Sequence, residues 1–117
     1  MDNLHALANG TVLDGDYKVL RVLGAGGFGI TYLAEEISLA RKVAVKEYFP
    51  GEFATRDGPT LIRSKSKTLQ ADYQWGLDRF ISEAQTLAKF DHPNVARVLR
   101  YFRANNTGYM VLHFEEG

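Results

Sequence analysis

The chain has 117 residues, 45% hydrophobic and 24% charged, which suits one small globular unit with a single core. Lysine plus arginine equals aspartate plus glutamate at 14 each, so no global field marks the chain for nucleic acid or a membrane surface, and any anion recognition must be local. The absence of cysteine excludes a disulfide framework, a thiolate zinc site and a cysteine nucleophile.

Residues 1–16 form an expected leader segment, small and polar with scattered Leu and with turn signals at Asn9-Gly10 and Asp14-Gly15; it should pack loosely. It lacks the basic start and apolar core of a secretory signal, and no apolar run approaches the roughly 20 residues that span a bilayer, so a cytoplasmic location is expected. A first strand is predicted over Tyr17 to Gly24 and a second over Gly29 to Glu35, with Ile30, Tyr32 and Ala34 on one side and Thr31 and Leu33 on the other. A third, Arg41 to Glu47, puts Val43 and Val45 on one face and Ala44 and Lys46 on the opposite one.

Residues 47–70 read as a long irregular insertion, with turns at Pro50-Gly51 and Asp57-Gly58-Pro59 and a short strand over Thr60 to Arg63. From Asp72 to Phe90 the spacing turns helical: Leu77, Phe80, Ile81, Ala84, Leu87 and Ala88 form one stripe. Asp72 is the expected N-cap, Gly76 weakens the first turns and Pro93 bars continuation. Strands over Arg97 to Arg103 and Tyr109 to Phe114 follow, joined by the hairpin composition Asn105-Asn106-Thr107-Gly108. The expected fold class is α+β, a five-stranded antiparallel sheet with one main helix.

Gly24-x-Gly26-x-x-Gly29 by itself is an ambiguous phosphate-handling motif. A dinucleotide fingerprint would open a helix after Gly29, whereas ITYLAEE alternates as a strand; a P-loop would need lysine where Ile30 stands. What remains is a glycine loop between two strands, a lysine in Val43-Ala44-Val45-Lys46 on the third, and a helix carboxylate, Glu83. With LGAGGFGITYLA, the FxxEAxxLAxFxHPN run from Phe80 to Asn94 and the terminal YMVLHFEEG, the chain from Tyr17 onward resembles the amino-terminal lobe of a eukaryotic-type (Hanks-type) serine/threonine protein kinase. GGFGITYLA and KEYFP are most similar to the bacterial members.

The resemblance implies that residues 17–117 form the ATP-binding lobe, with the helix in the place of the family's αC. Lys46 would contact the α- and β-phosphates and Glu83 would orient it. The loop Gly24, Ala25, Gly26, Gly27, Phe28, Gly29 would cover the phosphates. Leu23, Thr31 and Ala44 would roof the adenine, Leu112 would be the gatekeeper, and the backbone of His113 and Glu115 would bond the base. Leu87 and Val98 would belong to the regulatory spine. Thr31 departs from the family's usual valine and adds a hydroxyl to the roof, and the connection from Lys46 to the helix is longer than usual.

No His-Arg-Asp, Asp-Phe-Gly or Ala-Pro-Glu occurs before Gly117, so the catalytic base, the Mg2+ ligands and the protein-substrate platform are expected in a carboxyl-terminal lobe beyond this sequence. The implied partners are ATP, that lobe and a protein substrate. Alone, the chain is expected to transfer no phosphate and to self-associate through its uncovered lobe interface. A membrane tether beyond Gly117 stays open. The alternative function is a pseudokinase-like regulatory module that docks a partner.

Simpler roles compete for several residues. Lys46 as a surface lysine and Glu83 as a solvated carboxylate are disfavoured by the glycine loop upstream. His5, His92 and His113 lack ligand spacing, so no metal site is expected, and His92 reads as a helix-end cap. Arg63, Lys65 and Lys67, interleaved with Ser64, Ser66 and Thr68, read as a solvated loop face; Tyr73 and Trp75 are expected to pack on the sheet.

Overall fold

The computed structural model describes residues 5–90 and 97–115. The strands are β1 Val12–Leu13, β2 Tyr17–Ala25, β3 Gly29–Glu36, β4 Arg41–Tyr48, β5 Ala54–Asp57, β6 Leu61–Ser64, β7 Val98–Ala104 and β8 Thr107–His113, and the helix α1 spans Gln70–Leu87. One antiparallel sheet has the order β1-β2-β3-β4-β8-β7, and β5 and β6 form a separate hairpin. The α+β class with one helix holds, but the main sheet has six strands rather than five.

The added strand is β1, inside the segment expected to pack loosely. Asp14 and Gly15 both take left-handed φ, 50° and 69°, and this tight turn sets Leu13 opposite Tyr17. Leu7 and Leu13 are buried in the main core. Two residues are too few to show strand periodicity, which is why the sequence pattern does not disclose them.

The long strands follow their alternation. Ile30, Tyr32 and Ala34 of β3 and Val43 and Val45 of β4 are buried on the core side. Asn105 and Asn106, with φ of 55° and 61°, close β7 onto β8 with Ala104 opposite Thr107, the two-residue turn that its composition favours. The insertion is more ordered than expected: the short strand predicted over Thr60 to Arg63 is present as β6, one residue later, and pairs with the unforeseen β5, while Ala54 and Ile62 enter the core.

Helix α1 buries Tyr73, Leu77, Ile81 and Ala84, a stripe of three- and four-residue steps. Its N-cap is Leu69, without a side-chain cap bond; Asp72 lies in the first turn, where a carboxylate faces the positive end of the helix dipole. The expected stop at Pro93 and the His92 cap lie outside the described residues. Two glycines seat the helix. A Cβ on Gly108 of β8 would approach Ile81 Cδ1 to 2.8 Å, and a Cβ on Gly76 would overlap the Tyr48 hydroxyl. That hydroxyl donates to the Tyr73 carbonyl at 3.0 Å, so Gly76 is the notch into which β4 plugs the helix.

Alternation carries past Val45 to Glu47, whose side chain is fully buried. Its carboxylate accepts from Tyr32 Oη at 2.8 Å, Tyr109 Oη at 2.6 Å, and Arg56 Nη1 and Nη2 at 2.9 and 2.7 Å. The Arg56 guanidinium, 7% exposed, also donates to the carbonyls of His5 and Thr60 and lies 5.2 Å from the Phe49 ring centroid. The Leu7 amide donates to Tyr32 Oη at 3.0 Å. Leader, insertion and sheet thus converge on one buried ion pair.

This packing sets two measurable expectations. Alanine has a higher helix propensity than glycine by about 1 kcal/mol, yet Gly76→Ala is expected to lower stability by about 1–3 kcal/mol through its clash with Tyr48, read as a fall in the urea midpoint. A higher midpoint would contradict the notch. Burial raises the tyrosine hydroxyls above their ordinary 10.0, Tyr48 to about 12, and Tyr32 and Tyr109 are raised by burial and then by the nearby Glu47 charge. The folded state holds these protons more tightly, so their stabilisation is complete below the unfolded tyrosine pKa of about 10 and is lost as pH rises through and beyond it. Urea midpoints should be flat from about pH 8 to 9 and fall by about pH 11.

Candidate functional site

Lys46 is half-buried on the face opposite Glu47. In register it stands beside Thr31 of β3 and Met110 of β8, while Ala44 stands between Leu33 and Leu112. The period of two therefore gathers Thr31, Ala44, Lys46 and Leu112 on one front surface. Leu23 occupies the irregular step of β2 between Val22 and Gly24 and is 37% exposed. His113 donates its amide to the Arg97 carbonyl at 2.9 Å, and its ring lies 3.4 Å from Glu115.

The glycine loop closes β2 onto β3, with the Gly26 amide donating to the Gly29 carbonyl at 2.9 Å. The glycines differ in why they are glycine. A Cβ on Gly29 would come within 2.5 Å of the Glu47 carbonyl oxygen, so the fold itself forbids a side chain there. At Gly24, Gly26 and Gly27 a Cβ would meet nothing within 4 Å, and none has a left-handed φ. The bare protein places no demand for glycine at these three positions. Beyond the loop, the Phe49 amide donates to the Phe28 carbonyl at 3.0 Å and the Gly51 amide to the Gly27 carbonyl at 3.2 Å.

A cavity of about 380 Å³ opens between the loop tip and α1, lined among others by Phe28, Lys46, Tyr48, Trp75, Arg79 and Glu83. Lys46 and Glu83 thus share one cavity wall, but among the described residues no ion pair joins them, and Glu83 is exposed. Leu87 and Val98 meet in a small second cluster with Ala84 and Met110. Trp75 corrects its expected packing: it is 65% exposed, with the Arg79 guanidinium 5.0 Å from its ring centroid, whereas Tyr73 is buried as expected.

The Arg63 to Thr68 stretch is mostly exposed; Arg63 pairs with Asp57 at 3.2 Å and Ser64 Oγ donates to Gln70. Sequence reasoning missed Glu47 and Arg56. The signal for Glu47 was available, because alternation from Val43 and Val45 carries it onto the core side, and a buried carboxylate requires a cationic or hydrogen-bonding partner; no local pattern singles out Arg56 as that partner.

No family model matches the chain. Among curated proteins it is 36% identical over 106 residues to the serine/threonine-protein kinase pkn2 of Myxococcus xanthus, covering 91% of this chain and 11% of that protein. It is 32% identical over 108 residues to the serine/threonine-protein kinase PrkC of Bacillus subtilis, covering 92% and 14%. The chain therefore spans about an eighth of these relatives. Among solved structures it superposes on the PpkA-294 apo form with a TM-score of 0.91 and 36% identity, over 97% of this chain and 40% of that one. A point mutant of the Mycobacterium tuberculosis PknI kinase domain gives a TM-score of 0.66 at 22% identity over 96% and 38%, which speaks to the fold alone. The similarity in sequence and the similarity in fold cover the same span, and the chain is accordingly a relative of the bacterial eukaryotic-type (Hanks-type) serine/threonine protein kinases, corresponding to the amino-terminal lobe of their kinase domain.

Proposed function

We propose that this chain is the ATP-binding lobe of a protein serine/threonine kinase. The observation that carries the reading is the trio Gly24, Gly26 and Gly27, glycines that neither crowding nor backbone conformation of the bare protein requires, in a loop beside Lys46. Their bare backbone suits close approach of an anionic ligand, and Lys46 supplies the fixed positive charge. ATP, bound with Mg2+, would supply the phosphoryl group that passes to a protein hydroxyl; the metal ligands, the base and the substrate platform belong to a carboxyl-terminal lobe outside this sequence.

Within the chain the work is positioning. Leu23, Thr31, Ala44 and Leu112 bracket the adenine, the His113 carbonyl and Glu115 amide hold its edge, and Lys46 with the loop from Gly24 through Ala25 and Phe28 to Gly29 holds the phosphates. Glu83 completes the site only if α1 crosses the cavity to meet Lys46. That open pair is the observation favouring the second reading, a pseudokinase-like regulatory module; phosphotransfer by the longer protein, present or absent, separates the two. The proposal also includes association of copies through the front face and a cytoplasmic location. Among the described residues no helix is long and apolar enough to cross a membrane.

Titration of the chain with Mg·ATP and with adenosine tests the reading. Lys46→Met is expected to weaken ATP by about tenfold or more and to leave adenosine within about twofold. Gly27→Val should weaken ATP with the urea midpoint unchanged, since its side chain enters open space. Equal ATP affinity in wild type and Lys46→Met would remove the assignment.

A further inference from the structure

We infer that the Glu47–Gly51 backbone is a clasp for the glycine loop, and that Arg56 is its positioning residue; the role given to the clasp rests on the nucleotide reading above. Lys46 and Glu47 are neighbours on β4 and project to opposite faces, so whatever holds the Glu47 carboxylate on the back also sets the rotation of the strand that carries Lys46 on the front. That carboxylate is held from β3 by Tyr32, from β8 by Tyr109 and from β5 by Arg56. Of the three, only Arg56 lies in the insertion.

The loop rests on the same stretch. Gly29 lies against the Glu47 carbonyl, and the amides of Phe49 and Gly51 hold the carbonyls of Phe28 and Gly27. The strand ladder thus continues past Lys46 and carries the loop tip on the first residues of the insertion. The insertion is itself anchored at several points. Phe53 and Ala54 donate to the Pro50 carbonyl, Lys65 donates to the Phe53 carbonyl, and the Ile62 amide and carbonyl bond Asn105 and Asn106 in the β7–β8 turn. Arg56 is the side chain that ties this hairpin to Glu47, through a fork that also engages His5 and Thr60. Removing it frees the hairpin from β4 at the point where β4 begins to support the loop. The expected consequence falls on phosphate binding and spares the adenine surface formed by Ala44 and Leu112.

Two variants of the full 117-residue chain test this: Arg56→Met, and Glu47→Leu combined with Arg56→Leu, which removes the carboxylate that would otherwise stay buried without its partner. Hydrogen exchange at the Phe49 and Gly51 amides is expected to quicken about tenfold more than at Val45 and Val111 at the sheet centre, whose exchange follows global stability. Mg·ATP affinity should fall about tenfold with adenosine affinity held within about twofold, a split that general loss of structure would not produce. Arg56→Lys retains the charge but lacks the fork; the same local rise in exchange is expected of it, which covers failure of the other two to fold.

Unchanged exchange at Phe49 and Gly51 in a folded variant, or parallel weakening of ATP and adenosine, overturns the inference. If Lys46→Met leaves ATP binding unaltered while exchange at Phe49 and Gly51 still responds to Arg56, the clasp stands and the nucleotide reading falls.

Discussion

The carboxylate of Glu47 is the constraint on which the rest of the molecule leans. Taking an ion out of water costs several kcal/mol, and that cost is offset only when partners and hydrogen bonds surround the charge. Here Arg56, Tyr32 and Tyr109 do so, each from a different element. Removing one partner of such a buried pair typically costs about 3–5 kcal/mol, so the geometry around Glu47 is strongly specified. The leader joins the same cluster through the His5 carbonyl and the Leu7 amide, which is why residues with little apolar content of their own are nevertheless placed.

The helix depends on a different kind of constraint. Gly76 and Gly108 are absences of side chain that let Tyr48 and the α1 stripe approach closely, and Tyr48 reports the fit with a hydrogen bond to the helix backbone at Tyr73. Tyr73 in turn donates to the Asn106 carbonyl, and Thr107 Oγ1 to the Tyr48 carbonyl. These contacts pin the amino-terminal half of α1. Glu83 lies beyond them, exposed on the wall of a cavity, in the half of α1 where Gln85 Nε2 donates to Tyr101 Oη at 2.9 Å.

The fold and the site were legible to different depths. The hairpin around the glycine loop, the strand of Lys46, the helix stripe and the Asn105-Asn106 turn could be read because each is written in a local period or in turn chemistry. The front-face grouping of Thr31, Ala44, Lys46 and Leu112 followed from alternation once the strands were known. β1 escaped because two residues leave no pattern, and β5, Ala54–Asp57, because its Thr-Arg-Asp run shows no apolar alternation. Asp72 failed as an N-cap because the chain enters α1 directly from a 3-10 turn over Lys67–Leu69. Trp75 was misplaced because its position on α1 lies off the buried stripe of Tyr73, Leu77, Ile81 and Ala84; it lines the cavity and stays exposed.

By itself the sequence determined which residues share a face, where the chain turns, and that a glycine loop followed by a strand rather than a helix precedes a lysine. These are short-range properties, set by backbone conformation and side-chain period. Only the tertiary structure decided that Glu47 is buried with Arg56, that Gly29 is crowded while Gly26 and Gly27 stand open, and that Lys46 and Glu83 line one cavity with no ion pair between them among the described residues. Those outcomes depend on distances between elements far apart in the chain, and no local pattern encodes such a distance.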